Sequence, residues 1–188
     1  MSLTVANKIT ILRILAVPFF VATILDYSPE RDYLRQVALA IFVFAVISDV
    51  IDGIIARVKN QRTPAGAILD PLADKLLLMS AFLTLYQVGN AFPVSRFPIW
   101  LVVAVISRDV LLLLGAVLTY VLKGRLTVEA TKWGKACTFF ESIAVIVMLC
   151  QWPITLFWYI TMVFIGISGI DYLWNGMKQI SNNQDEAR

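Results

Sequence analysis

Residues 34–57 read LRQVALAIFVFAVISDVIDGIIAR. From Val37 to Ile47 every residue is apolar, and the whole stretch has the ~20 residues that a helix needs to cross a bilayer. Two aspartates, Asp49 and Asp52, then close it, with Gly53, Ala56 and Arg57 behind them. A carboxylate at the centre of a span costs ~2.5–3.5 kcal/mol on insertion scales. Acids retained here are therefore candidates for function, and the run before them makes the chain a membrane helix bundle.

Five further stretches share that length and character, giving predicted spans at 9–25, 34–57, 67–89, 97–122, 134–151 and 154–177. Pro29, Pro93 and Pro153 fall in three of the short connections, where a helix is expected to stop. The composition agrees: 59% of the 188 residues are hydrophobic and 15% charged, against about 45–50% and ~25% in soluble domains, and the mean hydropathy is +0.77. The expectation is an all-α integral membrane bundle of six transmembrane helices, one domain over residues 1–180 followed by a polar, frayed tail at 181–188. The first apolar stretch carries Arg13 and lacks a small-residue cleavage site, so it reads as a retained span rather than a signal peptide. Asn7 stands as a start signal before it. Of the 16 lysines and arginines, eleven fall on one side of this bundle (Lys8, Arg13, Arg57, Lys59, Arg62, Lys123, Arg125, Lys132, Lys135, Lys178, Arg188) and three on the other (Arg31, Arg35, Arg96). The positive-inside rule then places both termini and the loops 57–66 and 123–133 in the cytoplasm. A net charge of +3 gives no footing for nucleic acid. Cys137 and Cys150 lie ~20 Å apart along one helix, beyond disulfide reach. With no histidine, acid–base chemistry falls to carboxylates, lysines, tyrosines or metal-bound groups.

The third predicted span opens with Gly66, Asp70 and Asp74. On a helix Asp49 and Asp52 stand about 60° apart, while Gly66, Asp70 and Asp74 form a stripe drifting ~40° per step. With a short connection between them, the two spans are expected to be antiparallel neighbours whose carboxylates face each other at the cytoplasmic end. Four ionised carboxylates in one place repel, and divalent metal relieves this. Oxygen donors without His or Cys select Mg²⁺, Mn²⁺ or Ca²⁺ over zinc, and four carboxylates suit two ions, a known clamp on phosphoryl oxygens. Gly53 and Gly66 permit close approach of a ligand, and Arg57 can meet a phosphate bidentately.

Asp49-Val-Ile-Asp52-Gly53-Ile-Ile-Ala56-Arg57 followed by Gly66-Ala-Ile-Leu-Asp70-Pro-Leu-Ala-Asp74 resembles the full signature of the CDP-alcohol phosphotransferases, D-x2-D-G-x2-A-R and then G-x3-D-x3-D. The likeness extends to the six-span topology. It implies that Asp49, Asp52 and Asp70 are metal ligands with Asp74 at the second ion, and that Asp74 is also the general base taking the acceptor's proton. It further implies that Asp49, Asp52, Gly53, Arg57, Gly66 and Asp70 meet the CDP portion, that CDP-diacylglycerol is the donor and that CMP leaves. Asn7-x2-Thr10-x2-Arg13 is similar to the amino-terminal segment of bacterial phosphatidylglycerophosphate synthases in this family, which adds Asn7 and Thr10 to the CDP-binding set.

The acceptor is read from basic groups. Lys132-Trp-Gly-Lys135-Ala-Cys137-Thr resembles the G-K-x-K-T segment of the same synthases, with Cys137 in place of the second lysine. Arg108-Asp109 stands where those enzymes carry an Arg-Glu pair. Lys132, Lys135 and Arg108 are thus candidates for the acceptor's phosphate. The plainer readings are topology and lipid headgroups for the lysines and an intramembrane ion pair for Arg108-Asp109. Glycerol-3-phosphate is the first expectation. Phosphatidylglycerol comes second, because Arg108-Asp109-x5-Gly115 also looks like the eukaryotic-type cardiolipin synthases, and an inositol-phosphate acceptor third. Glu141 and Asp171 are expected to partner Arg108 or Lys135 or to line a polar cavity. Gly166 and Gly169 read as close helix packing, and a homodimer through the later spans fits families of this kind. A divalent-cation transporter also keeps acids in its helices, but clustering at one end beside Arg57 disfavours passage, and a purely structural bundle would be indifferent to Asp70→Asn. The expected location is the cell membrane, with the site facing the cytoplasm, or the mitochondrial inner membrane in a eukaryote.

Overall fold

A computed structural model describes residues 5–58, 64–123, 132–153 and 155–186, with side chains for 10–51, 72–115, 132–153, 155–172 and 174. Among the described residues there are six α-helices and no strand: α1 Val5–Leu25, α2 Asp32–Val58, α3 Pro64–Gln87, α4 Ile99–Lys123, α5 Lys132–Leu149 and α6 Thr155–Glu186. Short 3₁₀ turns at Pro29–Arg31 and Gly89–Ala91 join α1 to α2 and follow α3. Each predicted span has its helix, with ends that differ by a few residues. α1 already runs at Val5, so Asn7 lies inside the helix and not at a start signal before it. α6 continues to Glu186, through most of the tail expected to fray. Pro64 opens α3 at the first helical position, where its missing N–H leaves no gap. Among the described residues two helical stretches are long and apolar enough to cross a membrane, 29–51 with mean hydropathy 2.0 and 155–172 with 1.3, and 10–25 is a shorter apolar helix.

The chain forms two compact units. The first is Met1–Pro98 with Val145–Ile154, the second Ile99–Ala144 with Thr155–Arg188. In the first, α1 packs on both α2 and α3. The sequence pairs α2 with α3, but among the described residues α1 is the principal neighbour of each. Small side chains make this close packing possible: Ala38, Ala45, Ala73 and Ala81 are buried, with Phe20, Ile24, Phe42, Leu77, Phe82 and Leu85 filling the space between. Phe20 meets Phe42 at 5.8 Å between ring centroids, and Phe82 stacks on Phe97 at 4.6 Å.

The end of this unit where α2 begins is held by polar ties. Arg35 donates from Nε and Nη2 to the two carboxylate oxygens of Asp32 (2.6 and 2.7 Å) and from Nη1 to the Leu149 carbonyl at the end of α5 (2.6 Å). Gln151, at φ 56°, turns the chain out of α5 in the left-handed region. Its amide offsets that strain by accepting from the Val94 N–H (3.0 Å) and donating to the Met148 carbonyl (2.8 Å). Tyr27 stacks on Phe92 at 4.4 Å, and burial pushes its hydroxyl above the usual tyrosine pKa, so it stays neutral.

In the second unit α4 packs on α6. They are close at Gly115, where a Cβ would overlap the Tyr172 hydroxyl. Gly166 and Gly169, read from the sequence as packing glycines, would have nothing among the described residues within 4 Å of an added Cβ. They stand on an open face of α6, and the close approach is made by Gly115 instead. Phe140 of α5 stacks on Phe164 of α6 at 4.0 Å. Large apolar side chains also cover the outside: Phe19, Phe44, Leu111, Phe139, Leu156 and Trp174 are all exposed. An exterior this apolar suits hydrocarbon rather than water.

Candidate active site

The aspartates fall where the sequence places them on the helical backbone. Asp49 and Asp52 are in the second half of α2, and Asp70 and Asp74 are in the first half of α3. Both positions are in the first unit, at the opposite end of α2 from Arg35. Asp49 and Asp74 are half-buried. The side chains of Asn7, Asp52, Arg57 and Asp70, and the surroundings of Gly53 and Gly66, lie outside the described residues. Among the described residues no group of three or more metal-ligating side chains occurs, which leaves the four-aspartate cluster as an expectation.

Asp49 shows what the site is built on. Arg13, from α1, reaches it with Nη1 2.6 Å from Oδ1. The Arg13 side chain is 1% exposed and that of Asp49 43%. A guanidinium driven into an apolar helix interface thus holds a carboxylate that itself faces outward. Thr10, one turn before Arg13, is also buried. The sequence placed Arg13 with the topology-setting cations and within the Asn7–Thr10–Arg13 likeness, but did not pair it. The available signal was a lone arginine inside the first apolar span, which needs a carboxylate partner. The donor chemistry fits a hard divalent cation: an oxygen ligand, fixed in place by a second group and open to one side.

An apolar groove of about 440 Å³ starts beside this pair. Its walls are Leu15, Phe19, Ile41 and Phe44, its narrow residues are Ala16 and Ala40, and Arg13 and Ser48 lie at its polar end.

The second unit contains the basic residues assigned to the acceptor. Lys132 and Lys135 are exposed on the first turns of α5, while Arg108 is buried. Arg108 forms the ion pair with Asp109 that the sequence offered as its plainer role, at 2.7 Å. Glu141 Oε1 lies 4.0 Å from Arg108, one of the partners expected for it. Ser168, which accepts a hydrogen bond from Arg108 at 2.7 Å, carried no sequence signal, because a serine in an apolar span ordinarily bonds its own helix.

A family profile described as CDP-alcohol phosphatidyltransferase matches residues 3–169. A CDP-diacylglycerol–glycerol-3-phosphate 3-phosphatidyltransferase of Pseudomonas fluorescens is 30% identical over 184 residues, covering 95% of this chain and 89% of that protein. A Bacillus subtilis (strain 168) protein of the same name is 36% identical over 152 residues, 76% of this chain and 75% of its own. A "Putative cardiolipin synthase" of Mycobacterium tuberculosis (strain ATCC 25618 / H37Rv) is 34% identical over 138 residues, 73% of this chain and 60% of its own.

Proposed function

Because this chain belongs to the CDP-alcohol phosphatidyltransferase family, we propose that it transfers the phosphatidyl group of CDP-diacylglycerol to glycerol-3-phosphate, giving phosphatidylglycerophosphate and CMP. The relatives that bear the name of that reaction support the acceptor. The observation that carries the site is the outward-facing Asp49 carboxylate held by buried Arg13. The enzyme is read as six spans with both termini in the cytoplasm, supported by the eleven-to-three split of basic residues and by the apolar exterior.

Each group then has a task. Asp49, Asp52, Asp70 and Asp74 would hold two divalent ions, Mg²⁺ or Mn²⁺, which when bound supply positive charge to the diphosphate and the departing CMP. Arg13 keeps Asp49 in a single orientation, so the carboxylate does not have to be ordered during reaction. Gly53, Arg57 and Gly66 receive the CDP portion, with Asn7 and Thr10 on α1. Asp74 takes the proton of the acceptor hydroxyl as its oxygen bonds to the phosphatidyl phosphorus and the bond to the CMP oxygen breaks. Lys132 and Lys135 take the acceptor's phosphate. Arg108, expected to join them, has both Nη nitrogens committed within the protein and acts indirectly. The groove on α1 and α2 accommodates one acyl chain of the donor, its polar end beside Arg13.

The test is a substrate panel. Purified enzyme in micelles with CDP-diacylglycerol and Mn²⁺ or Mg²⁺ is offered glycerol-3-phosphate, phosphatidylglycerol, inositol phosphate and serine, and CMP release is followed. Glycerol-3-phosphate should be preferred, and Asp74→Asn should reduce turnover by about 10²–10⁴-fold with the fold intact. Preference for phosphatidylglycerol would move the assignment to cardiolipin synthesis. Near-normal turnover in Asp74→Asn would remove it as the base.

A further inference from the structure

The second unit buries a set of charged groups that the proposed reaction does not use directly. Three helices contribute to it: Arg108 and Asp109 from α4, Glu141 from α5 and Ser168 from α6. Asp109 and Glu141 are 0% exposed, Ser168 2% and Arg108 6%. The guanidinium is the junction. Nη1 donates to Asp109 Oδ1 at 2.7 Å and lies 4.0 Å from Glu141 Oε1. Nη2 donates to Ser168 Oγ at 2.7 Å and, at the longer distance of 3.4 Å, to the Gly134 carbonyl. On α5 the Cys137 thiol donates to Glu141 Oε1 at 3.2 Å, and the Thr138 hydroxyl to the Gly134 carbonyl at 3.1 Å.

Charges in an apolar interior persist only when partnered, and an interior polar set can select one helix register among several that apolar packing alone would allow. Here the selected element is α5. Gly134, Cys137 and Glu141 are spaced by three and four residues, so they share the face of α5 that meets Arg108. Lys132 and Lys135 project from roughly the opposite side, about 150° round the helix from that stripe, and both are exposed. Any rotation of α5 about its axis therefore swings both ammonium groups together. Arg108, tied to α6 through Ser168 and to α5 through Gly134 and Glu141, opposes that rotation.

We infer that Glu141 and Ser168, acting through Arg108, are positioning residues for the acceptor, fixing the rotation of α5 that presents Lys132 and Lys135 to its phosphate. The inference rests on the proposed role of those lysines. It assigns work to two side chains that never touch substrate, and it explains why Arg108 is spent on protein partners.

The experiment measures steady-state CMP release by the full chain in micelles, varying glycerol-3-phosphate and CDP-diacylglycerol separately, together with thermal unfolding. Ser168→Ala and Glu141→Gln are expected to raise KM for glycerol-3-phosphate by about ten-fold, with KM for CDP-diacylglycerol and kcat within about two- to three-fold of the parent. Ser168→Thr, which keeps the hydroxyl, should restore the acceptor KM. Lys135→Ala should raise the same KM, and adding Ser168→Ala to it should have little further effect, since both act on one contact. The positioning role is overturned if Ser168→Ala and Glu141→Gln lower only the unfolding temperature, raise both KM values equally, or multiply with Lys135→Ala. If Lys135→Ala itself leaves the acceptor KM unchanged, the acceptor assignment fails and takes the positioning role with it. An unchanged KM in Ser168→Ala and Glu141→Gln beside a raised one in Lys135→Ala overturns the positioning role alone.

Discussion

Arg13 is buried while the carboxylate it holds is 43% exposed, and this asymmetry separates stability from activity at a single residue. Replacing a whole buried ion pair by well-packed apolar side chains is often neutral or stabilising by roughly 1–4 kcal/mol, whereas removing one partner is costly when it strands a buried charge. The usual penalty, a stranded buried charge, is small here because Asp49 reaches solvent. Arg13→Met should therefore unfold at the same temperature as the parent or higher, while turnover falls by about ten-fold as Asp49 loses its fixed orientation. Thermal melts and CMP-release assays on the same preparation check both signs, and a parallel fall in melting temperature and activity would make Arg13 a structural residue only. The contrast with Asp49 shows what was legible at this scale. The spacing of the aspartates is local information, carried by helical geometry between residues three and four apart. The pairing of residue 13 with residue 49 depends on which helices touch, and the sequence, though it brought Asn7 and Thr10 of α1 to the site, did not pair Arg13 there. Ser168 was illegible for the same reason, since its partner lies 60 positions away.

Helices were the most legible elements, because a run of about 20 apolar residues leaves few alternatives; their contacts were less so. The glycines of α6 suggested close packing, yet the tight crossing is at Gly115, under the Tyr172 ring. A Cβ at position 115 would also lie 2.6 Å from Tyr172 Cζ and 2.9 Å from Cε1, so losing the hydroxyl would not make room. Gly115→Ala should destabilise by about 1–3 kcal/mol, read as a lower unfolding temperature. Tyr172→Phe should fail to rescue it, whereas Tyr172→Leu should recover part of the loss. Gly166→Ala, facing open space, should leave the melt unchanged. The α1–α2 groove gives a second expectation for packed elements. An acyl chain entering it leaves lipid rather than water, so the gain is packing without a hydrophobic term and the effect of blocking it is modest. Ala40→Phe, which narrows the groove, should raise KM for long-chain CDP-diacylglycerol about three- to five-fold. It should leave KM for glycerol-3-phosphate and for a short-chain donor unaltered. Equal effects on long- and short-chain donors would show that no chain lies there.

Charge and hydrocarbon set the arrangement of the whole molecule. The proposed six spans, with both ends in the cytoplasm, make the number of crossings even and put the connections after α1 and after α3 on the outer side. Arg31, Arg35 and Arg96, the only basic residues assigned to that side, sit at these connections, and each is tied to a neighbour: Arg31 to Asp26 at 3.0 Å, Arg35 to Asp32, and Arg96 to Asn90 at 3.0 Å. What the sidedness rule counts is their number, three against eleven, since acids contribute little to it. Single-cysteine labelling tests the arrangement directly. With Cys137 and Cys150 replaced by serine and alanine and activity confirmed, Ser28→Cys and Asn90→Cys should react with a membrane-impermeant maleimide in intact cells. Asn183→Cys should react only after the membrane is opened. Labelling at 183 from outside together with 28 and 90 would put the carboxyl terminus on the same face as those connections, which six spans do not allow. Protection of both 28 and 90 in intact cells, with reaction on opening, would invert the bundle and put the aspartates of α2 and α3 on the face away from the cytoplasmic pool of a charged acceptor such as glycerol-3-phosphate.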